Sequence, residues 1–210
     1  MRRGFLDRRR AIARPGYSRW LVPPAAVAVH LAIGQAYAFS VFNLPLTRIV
    51  GLDHTAPEDW SLRATVWIFS IAFFVVGVIA AAVGGWVERV GPRKAAFVSA
   101  CCFAGGFFVS ALAVKLHVLV LLYLGYGVLG GVGVGIGYLA PVPTLLKWFP
   151  DRPGLATGMA IMGFGGGAIV GAPLAVSLLD RLQAPGSSGV AETFMVMGAL
   201  YFVLMVFGSL

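Results

Sequence analysis

The chain contains 210 residues, of which 59% are hydrophobic and only 11% are charged. A soluble domain carries roughly 25% charged residues, so the composition excludes an ordinary globular protein and predicts a membrane protein. The net charge of +8 does not indicate a nucleic-acid partner, because seven of the sixteen Lys and Arg residues are arginines that precede residue 20. A basic cluster beside apolar segments is typical of a signal for membrane orientation.

Six apolar segments are long enough to cross a bilayer, because about 20 residues at 1.5 Å per residue span roughly 30 Å of hydrocarbon. A basic tail, residues 1–20, precedes them and is expected in the cytoplasm. The sequence therefore predicts an all-α membrane protein, with a six-helix bundle over residues 21–210. The predicted helices cover about 21–43, 62–87, 95–114, 118–146, 155–179 and 193–210.

The Lys and Arg residues between the segments predict the orientation of the chain. With the N-terminus in the cytoplasm, twelve of them lie inside and four lie outside. We therefore expect a multi-pass protein of the cytoplasmic (inner) membrane, with both termini inside and loops 51–61 and 182–192 outside. The start "RRGFL" also resembles a twin-arginine export signal cleaved after "AYA", but five further spans argue against cleavage. The twelve are the seven leading arginines, Arg89, Arg93, Lys94, Lys147 and Arg152; the four are Arg48, Arg63, Lys115 and Arg181.

In the first segment, His30, Gly34, Tyr37 and Val41 fall on one helical face, because they are spaced by four, three and four residues. His30 lies about halfway through the span, where an ionisable group is rare and functional by default. It is a candidate for binding a proton or the substrate. The alternative is a neutral histidine that hydrogen-bonds to a neighbouring helix.

Glycines dominate the fourth and fifth segments. The run "GYGVLGGVGVGIG" lies inside a predicted span, so it lacks the strand and helix start of a nucleotide-binding loop. Glycines spaced by four residues instead predict close helix packing in lipid. Pro141 and Pro143 are expected to bend or break the fourth helix. The two glycine stripes are Gly127, Gly131 and Gly135 in the fourth segment, and Gly163, Gly167 and Gly171 in the fifth.

The turn "GGWVERVGPRK" follows the second segment. Gly91 and Pro92 reverse the chain, Gly84 and Gly85 are expected to allow close packing, and the positive-inside rule alone explains the charges. The pattern also resembles the signature loop of the major facilitator superfamily, which lies between helices 2 and 3. That resemblance implies a cytoplasmic gate latch. The latch residues are Gly84, Glu88, Arg89, Gly91, Arg93 and Lys94, and we expect Arg89 or Arg93 to pair with Asp151, beside Arg152, in the next cytoplasmic loop.

A second resemblance covers nearly the whole chain. The blocks "KWFPDRPGLATG", "GFGGG" and "AYAFSVFNLPL" are similar to the oxalate/formate antiporter family. This resemblance implies exchange of small carboxylate anions by alternating access, with helices 1 and 4 lining a central cavity. It places Tyr37 and Tyr138 at the substrate. It also implies a substrate-binding role for Gln35, which lies one position from the expected glutamine. The same role is implied for Phe164, which lies where an aromatic residue, often a tyrosine, is expected.

The chain carries no motif of hydrolytic catalysis, so it is not predicted to be an enzyme. Its adjacent cysteines, Cys101 and Cys102, do not have the spacing of a metal site, and no cofactor is expected. A carboxylate at the bilayer midplane needs a positive partner, and segments 1–5 have no charge near their centres. The resemblance places the binding cations in a second six-helix half.

We therefore interpret the chain as the N-terminal six-helix half of a carboxylate exchanger. Its expected partners are a small organic anion, the lipid bilayer, and either a C-terminal half or a second copy. Two alternatives stay open: half of a monocarboxylate–proton symporter that uses His30, and a non-transporting fragment or assembly subunit.

Overall fold

The computed structural model describes residues 18–52 and 54–209. Within these ranges, six helices are long and apolar enough to cross a membrane, which confirms the predicted all-α architecture. Most of the predicted basic tail, residues 1–17, lies outside the described residues, as does Leu210. The spans are α1 (Arg19–Ala38), α2 (Leu62–Val90), α3 (Pro92–Lys115), α4 (Leu119–Trp148), α5 (Pro153–Leu182) and α6 (Val190–Ser209).

Several helices begin earlier than the apolar pattern indicates. Arg19 and Trp20 belong to the first turn of α1 rather than to the tail. Pro92 and Pro153 are the first residues of α3 and α5. Proline is favoured at this position because its ring fixes a helical φ angle and the missing N–H would have no partner there. The helices therefore start inside the charged turns.

The bundle is held together by an aromatic core between α1, α3, α4 and α6. Phe39, which directly follows α1, packs at 4.4 Å on Tyr126 with the rings tilted, and Phe107 lies 5.4 Å from Tyr126 and 5.8 Å from Phe194. Burying each ring removes a large apolar area and adds favourable edge contacts. The helices α3 and α6 pack most closely, α2 lies against α4, and α5 lies against α1. As a result, α2 and α5 flank the core and are the least buried spans.

Both predicted glycine stripes are packing surfaces. On α4, a Cβ atom added at Gly131 would lie 2.7 Å from the carbonyl oxygen of Ala72 in α2. On α5, a Cβ atom added at Gly167 would lie 2.5 Å from the carbonyl oxygen of Leu31 in α1. The other stripe members make similar contacts with the same two helices. The missing side chains let each pair of backbones approach closely, as small residues do in membranes.

Two spans are irregular where they meet. Residues Gln35–Ala38 at the end of α1 form a 3₁₀ turn, and a short helix, Ser40–Leu46, continues the span. Residues Tyr123–Gly130 of α4 form a π-helix. The predicted break is confirmed at Ala140, directly before Pro141. The hydroxyl of Thr144 donates to the Ala140 carbonyl at 2.7 Å across this break.

The loops at the end opposite Arg19 are tied together by polar contacts. Asp59 accepts three backbone hydrogen bonds inside its loop, at 2.7–3.0 Å. Burial opposes ionisation of Asp59, but these donors outweigh it and lower the pKa of the carboxyl. Trp60 stacks on His117 at 4.8 Å. Lys115 and Glu192 form an ion pair at 3.5 Å.

Candidate functional site

Three aromatic side chains from three helices form one cluster, which we call the aromatic face: Tyr37 of α1, Tyr138 of α4 and Phe164 of α5. The Phe164 ring lies 5.0 Å from Tyr37 and 5.3 Å from Tyr138. Both tyrosines are exposed, at 46% for Tyr37 and 38% for Tyr138. The two residues that the sequence places at the substrate thus share one open surface.

His30 lies directly behind the aromatic face and is completely buried. Its ring stacks on Tyr138 at 5.7 Å and lies 6.2 Å from Phe164. Neither ring nitrogen has a hydrogen-bond partner, although the backbones of Tyr138 and Ala160 lie near the ring. An unsatisfied buried polar group costs about 1–3 kcal/mol. His30 is therefore a buried polar group that the bundle does not satisfy.

Glycines on both sides of the α1–α5 contact bring these residues together. A Cβ atom at Gly34 would overlap the backbone carbonyl of Phe164. A Cβ atom at Gly163 would lie 2.9 Å from the Cβ atom of His30. Because α1 and α5 touch through their backbones here, Phe164 reaches both His30 and Tyr37. The stripe on α5 therefore sets the geometry of the aromatic face as well as the packing.

Gln35 lies in a different place from the other predicted substrate residues. It is fully buried, and its Oε1 atom accepts a hydrogen bond from the Tyr126 hydroxyl at 3.2 Å. Its side-chain nitrogen and the Tyr201 hydroxyl have no partner. Gln35 thus belongs to a polar group inside the bundle, together with Tyr126, which the sequence analysis did not single out. Phe39 and Phe42, by contrast, are fully buried, and their rings pack on Tyr126 and Phe194 respectively.

The turn between α2 and α3 depends on one of its glycines. Gly91 has φ 87° and ψ 162°. It is both the C-cap of α2 and the N-cap of α3. Only glycine adopts this conformation without strain. The expected packing role of Gly84 and Gly85 is wrong within the described residues, because a Cβ atom at either position meets nothing within 4 Å. These two glycines face open space.

Glu88, Arg89 and Lys94 of this turn are exposed, and Arg93 is half-buried. Arg89 donates from Nε to the carbonyl of Gly85 at 3.1 Å, within its own helix. Glu88 and Arg93 form no ion pair with any described residue. Lys94 lies in the first turn of α3, next to Arg93.

Asp151 has a different partner from the one predicted. Arg19 donates two hydrogen bonds to its carboxylate, at 2.6 Å and 3.1 Å. The Arg19 guanidinium also lies 4.9 Å from the centre of the Phe149 ring. Arg152 approaches the same carboxylate at 3.8 Å. The expected pairing of Asp151 with Arg89 or Arg93 is therefore wrong for this conformation. The hydrogen bond from Arg19 holds the pKa of Asp151 below its usual range.

The membrane-spanning part of the described chain is uncharged. Every Lys, Arg, Asp and Glu residue of the six spans lies within two residues of a helix end. No group of three or more His, Cys, Asp or Glu residues suited to a metal occurs in the described ranges. The aromatic face offers two hydroxyl donors, which can hydrogen-bond to an anion without carrying charge.

Six membrane-spanning helices around an uncharged aromatic face are typical of one helical bundle of a membrane transporter. The model of the Major Facilitator Superfamily matches residues 16–210, so the chain belongs to this superfamily of transporters.

Individual relatives support the same class. The chain is 28% identical over 192 residues to the uncharacterized MFS-type transporter YhjX of Escherichia coli (strain K12), covering 91% of the chain and 44% of the relative. It is 27% identical over 190 residues to the oxalate:formate antiporter of Oxalobacter formigenes, covering 90% and 41%. It is 30% identical over 195 residues to human monocarboxylate transporter 11, covering 91% and 37%. The chain thus spans less than half the length of these relatives.

Proposed function

We propose that this chain is the N-terminal half of an alternating-access transporter for small organic anions, with carboxylates such as oxalate and formate as cargo. The observation that carries the proposal is the aromatic face, where the rings of two exposed tyrosines, one from α1 and one from α4, lie against one phenylalanine ring. Hydroxyl donors on an aromatic surface suit a small carboxylate, whose oxygens need donors, and a second bundle that covered this surface would close it into a cavity.

The proposal includes a second bundle opposite the aromatic face. A buried carboxylate needs a cation or many donors, and the spans described here carry charge only at their ends. We infer that a C-terminal six-helix half supplies the cation, and that the two bundles rock around a site between them. The exposed sides of α2 and α5 would then face that half or the lipid. A second copy of this chain is the other arrangement to test.

The second candidate function is a monocarboxylate–proton symporter half. The buried His30 beside the aromatic face favours it, and one matched relative is named as a monocarboxylate transporter. The two candidates share the site and differ in whether a proton accompanies the anion. In both, the membrane is the cytoplasmic one and the Arg19 end of the bundle faces the cytoplasm.

The test is to replace Tyr37 and Tyr138 by phenylalanine in the complete transporter. Each loss of a hydrogen bond to a carboxylate is expected to weaken oxalate or formate binding by about 10–100-fold. Tyr123→Phe is the matched control, because it removes a tyrosine hydroxyl that is not part of the aromatic face. That hydroxyl donates a hydrogen bond of 2.9 Å to the Ala64 carbonyl. Unchanged exchange kinetics in both site variants would remove the aromatic face from the transport path.

A further inference from the structure

His30 is a fully buried ionisable side chain whose two ring nitrogens have no hydrogen-bond partner. We propose that His30 takes up one proton when a carboxylate binds at the aromatic face and releases it when the anion leaves. The inference rests on the proposed function and selects its second candidate, in which a proton accompanies the anion, by assigning the proton to His30.

His30 is buried, but it makes no hydrogen bond that would indicate a structural role. A neutral imidazole has one N–H donor and one acceptor nitrogen, and in the structure neither is engaged. The ring stacks on Tyr138, lies 6.2 Å from Phe164 and is approached closely by Gly163. The backbones of Tyr138 and Ala160 lie near it, but neither makes a hydrogen bond of good geometry to the ring nitrogens.

No fixed charge in the described chain lies near His30. The elements packed around its ring supply Tyr138 from α4, and Ala160, Gly163 and Phe164 from α5. On α1 itself, Arg19 is eleven residues away, about 16 Å along the helix. The charges of the helices packed on α1 lie at their ends: Lys147 on α4, Asp180 and Arg181 on α5, and Glu192 on α6. The protonation of His30 therefore responds mainly to what arrives at the aromatic face.

A carboxylate that binds at the aromatic face shifts the protonation equilibrium of the buried imidazole. An anion bound to the Tyr138 hydroxyl has the imidazole stacked directly behind that ring, and charges attract strongly where water is excluded. A proton from water then adds to the free ring nitrogen and gives an imidazolium with two N–H donors. The backbones of Tyr138 and Ala160, which lie near the ring, are the expected acceptors. The same proton leaves with the anion, and no bond in the anion is broken.

Linkage fixes the sign of the effect. Because the anion favours the protonated ring, the protonated ring favours the anion by the same factor. Apparent carboxylate affinity therefore rises as the pH falls, by at most about tenfold per pH unit for one coupled proton. Formate stays ionised throughout the range in which histidine titrates, so its own chemistry does not produce this dependence.

The first experiment follows the imidazoles directly by NMR. The complete transporter is labelled on histidine, placed in lipid nanodiscs and titrated with and without formate, and the His30 signal is assigned by its loss in His30→Gln. Formate is expected to move the His30 midpoint to higher pH. The signal of His54, an exposed loop residue, is expected to stay in place. An unmoved His30 midpoint in a sample saturated with formate would overturn the inference.

The second experiment measures formate affinity at about pH 5.5 and about pH 8, across the histidine range. Wild type and His54→Gln are expected to bind more tightly at the lower pH, while His30→Gln binds with little pH dependence. His30→Asn serves if the glutamine variant does not fold. Formate binding with the same pH profile in wild type and both His30 variants contradicts the coupling alone. Absence of binding by wild type, for formate and oxalate alike, contradicts both the coupling and the proposed function.

Discussion

Replacing Gly167 by alanine tests whether the glycine contact between α1 and α5 builds the aromatic face. A Cβ atom there would lie 2.5 Å from the Leu31 carbonyl oxygen and 2.6 Å from the Cα atom of Gly34, which is about 0.9 Å short of the ordinary contact distance of 3.4 Å. All these neighbours are backbone atoms, so no side chain can rotate away. The two helices must separate instead, and overpacking of this kind costs about 1–3 kcal/mol.

Gly165→Ala is the matched control, because a Cβ atom at Gly165 meets nothing within 4 Å. Both changes are Gly→Ala in the interior of α5, so the gain in helix propensity of about 1 kcal/mol is common to them. The difference between the two unfolding free energies, measured by denaturant titration in mixed micelles, therefore reports the clash alone. We expect Gly167→Ala to be less stable than Gly165→Ala by about 1–3 kcal/mol. Equal stabilities would refute the close backbone contact on which the site geometry depends.

Three further predictions concern the ends of the bundle. Asp151→Asn is expected to speed amide exchange in residues 147–153, while Asp180→Asn leaves that segment unchanged. Because Arg19 depresses the pKa of Asp151, this protection is present above the ordinary carboxyl pKa and is lost as the pH falls through the folded value; pH-independent protection contradicts it. Gly91→Ala is expected to destabilise the chain by about 1–3 kcal/mol, because φ 87° with ψ 162° is a backbone conformation essentially restricted to glycine. Gly84→Ala is expected not to destabilise the chain, and thermal unfolding of the pair checks the difference. A cysteine at Ser188, in a background without Cys101 and Cys102, is expected to be labelled from outside the cell, and labelling from the cytoplasm would reverse the topology.

The features that the sequence predicted correctly depend on local patterns. Apolar length identifies six spans because the bilayer thickness is fixed. The spacing of Gly163, Gly167 and Gly171 predicts one packed stripe because residues four apart share a helical face. Pro141 predicts the break in α4 because proline removes a backbone donor and clashes with the preceding turn. In each case the cause lies within a few residues of the effect.

The features that were wrong depend on which helices meet. Gly84 and Gly85 were expected to pack as an adjacent pair, without the four-residue spacing that identifies Gly167, and whether they pack depends on which helix lies against that end of α2. The partner of Asp151 is Arg19, 132 residues away, and only the docking of α1 against the α4–α5 turn brings them together. The sequence did contain one indication of this contact, an aromatic residue close to each partner: Trp20 follows Arg19, and Phe149 precedes Asp151 by two positions. In the structure these two rings pack at 5.1 Å.

Gln35 shows how a resemblance and helix geometry can disagree. The five residues that separate it from His30 place the two side chains about 140° apart around a helix. Geometry alone therefore puts Gln35 away from the face shared by His30 and Tyr37, and the structure places it in the core against Tyr126. Its substrate role came from the family resemblance alone.

The most direct test of the central claim is carboxylate exchange in liposomes. Residues 1–210 are reconstituted alone and together with a complementary six-helix half, and the exchange of labelled oxalate for formate is measured over a range of concentrations. The account predicts saturable exchange only when both halves are present, because one bundle has neither a second bundle to rock against nor a buried fixed cation for the anion. Saturable exchange by residues 1–210 alone would contradict it and would mean that two copies of this chain form the complete site.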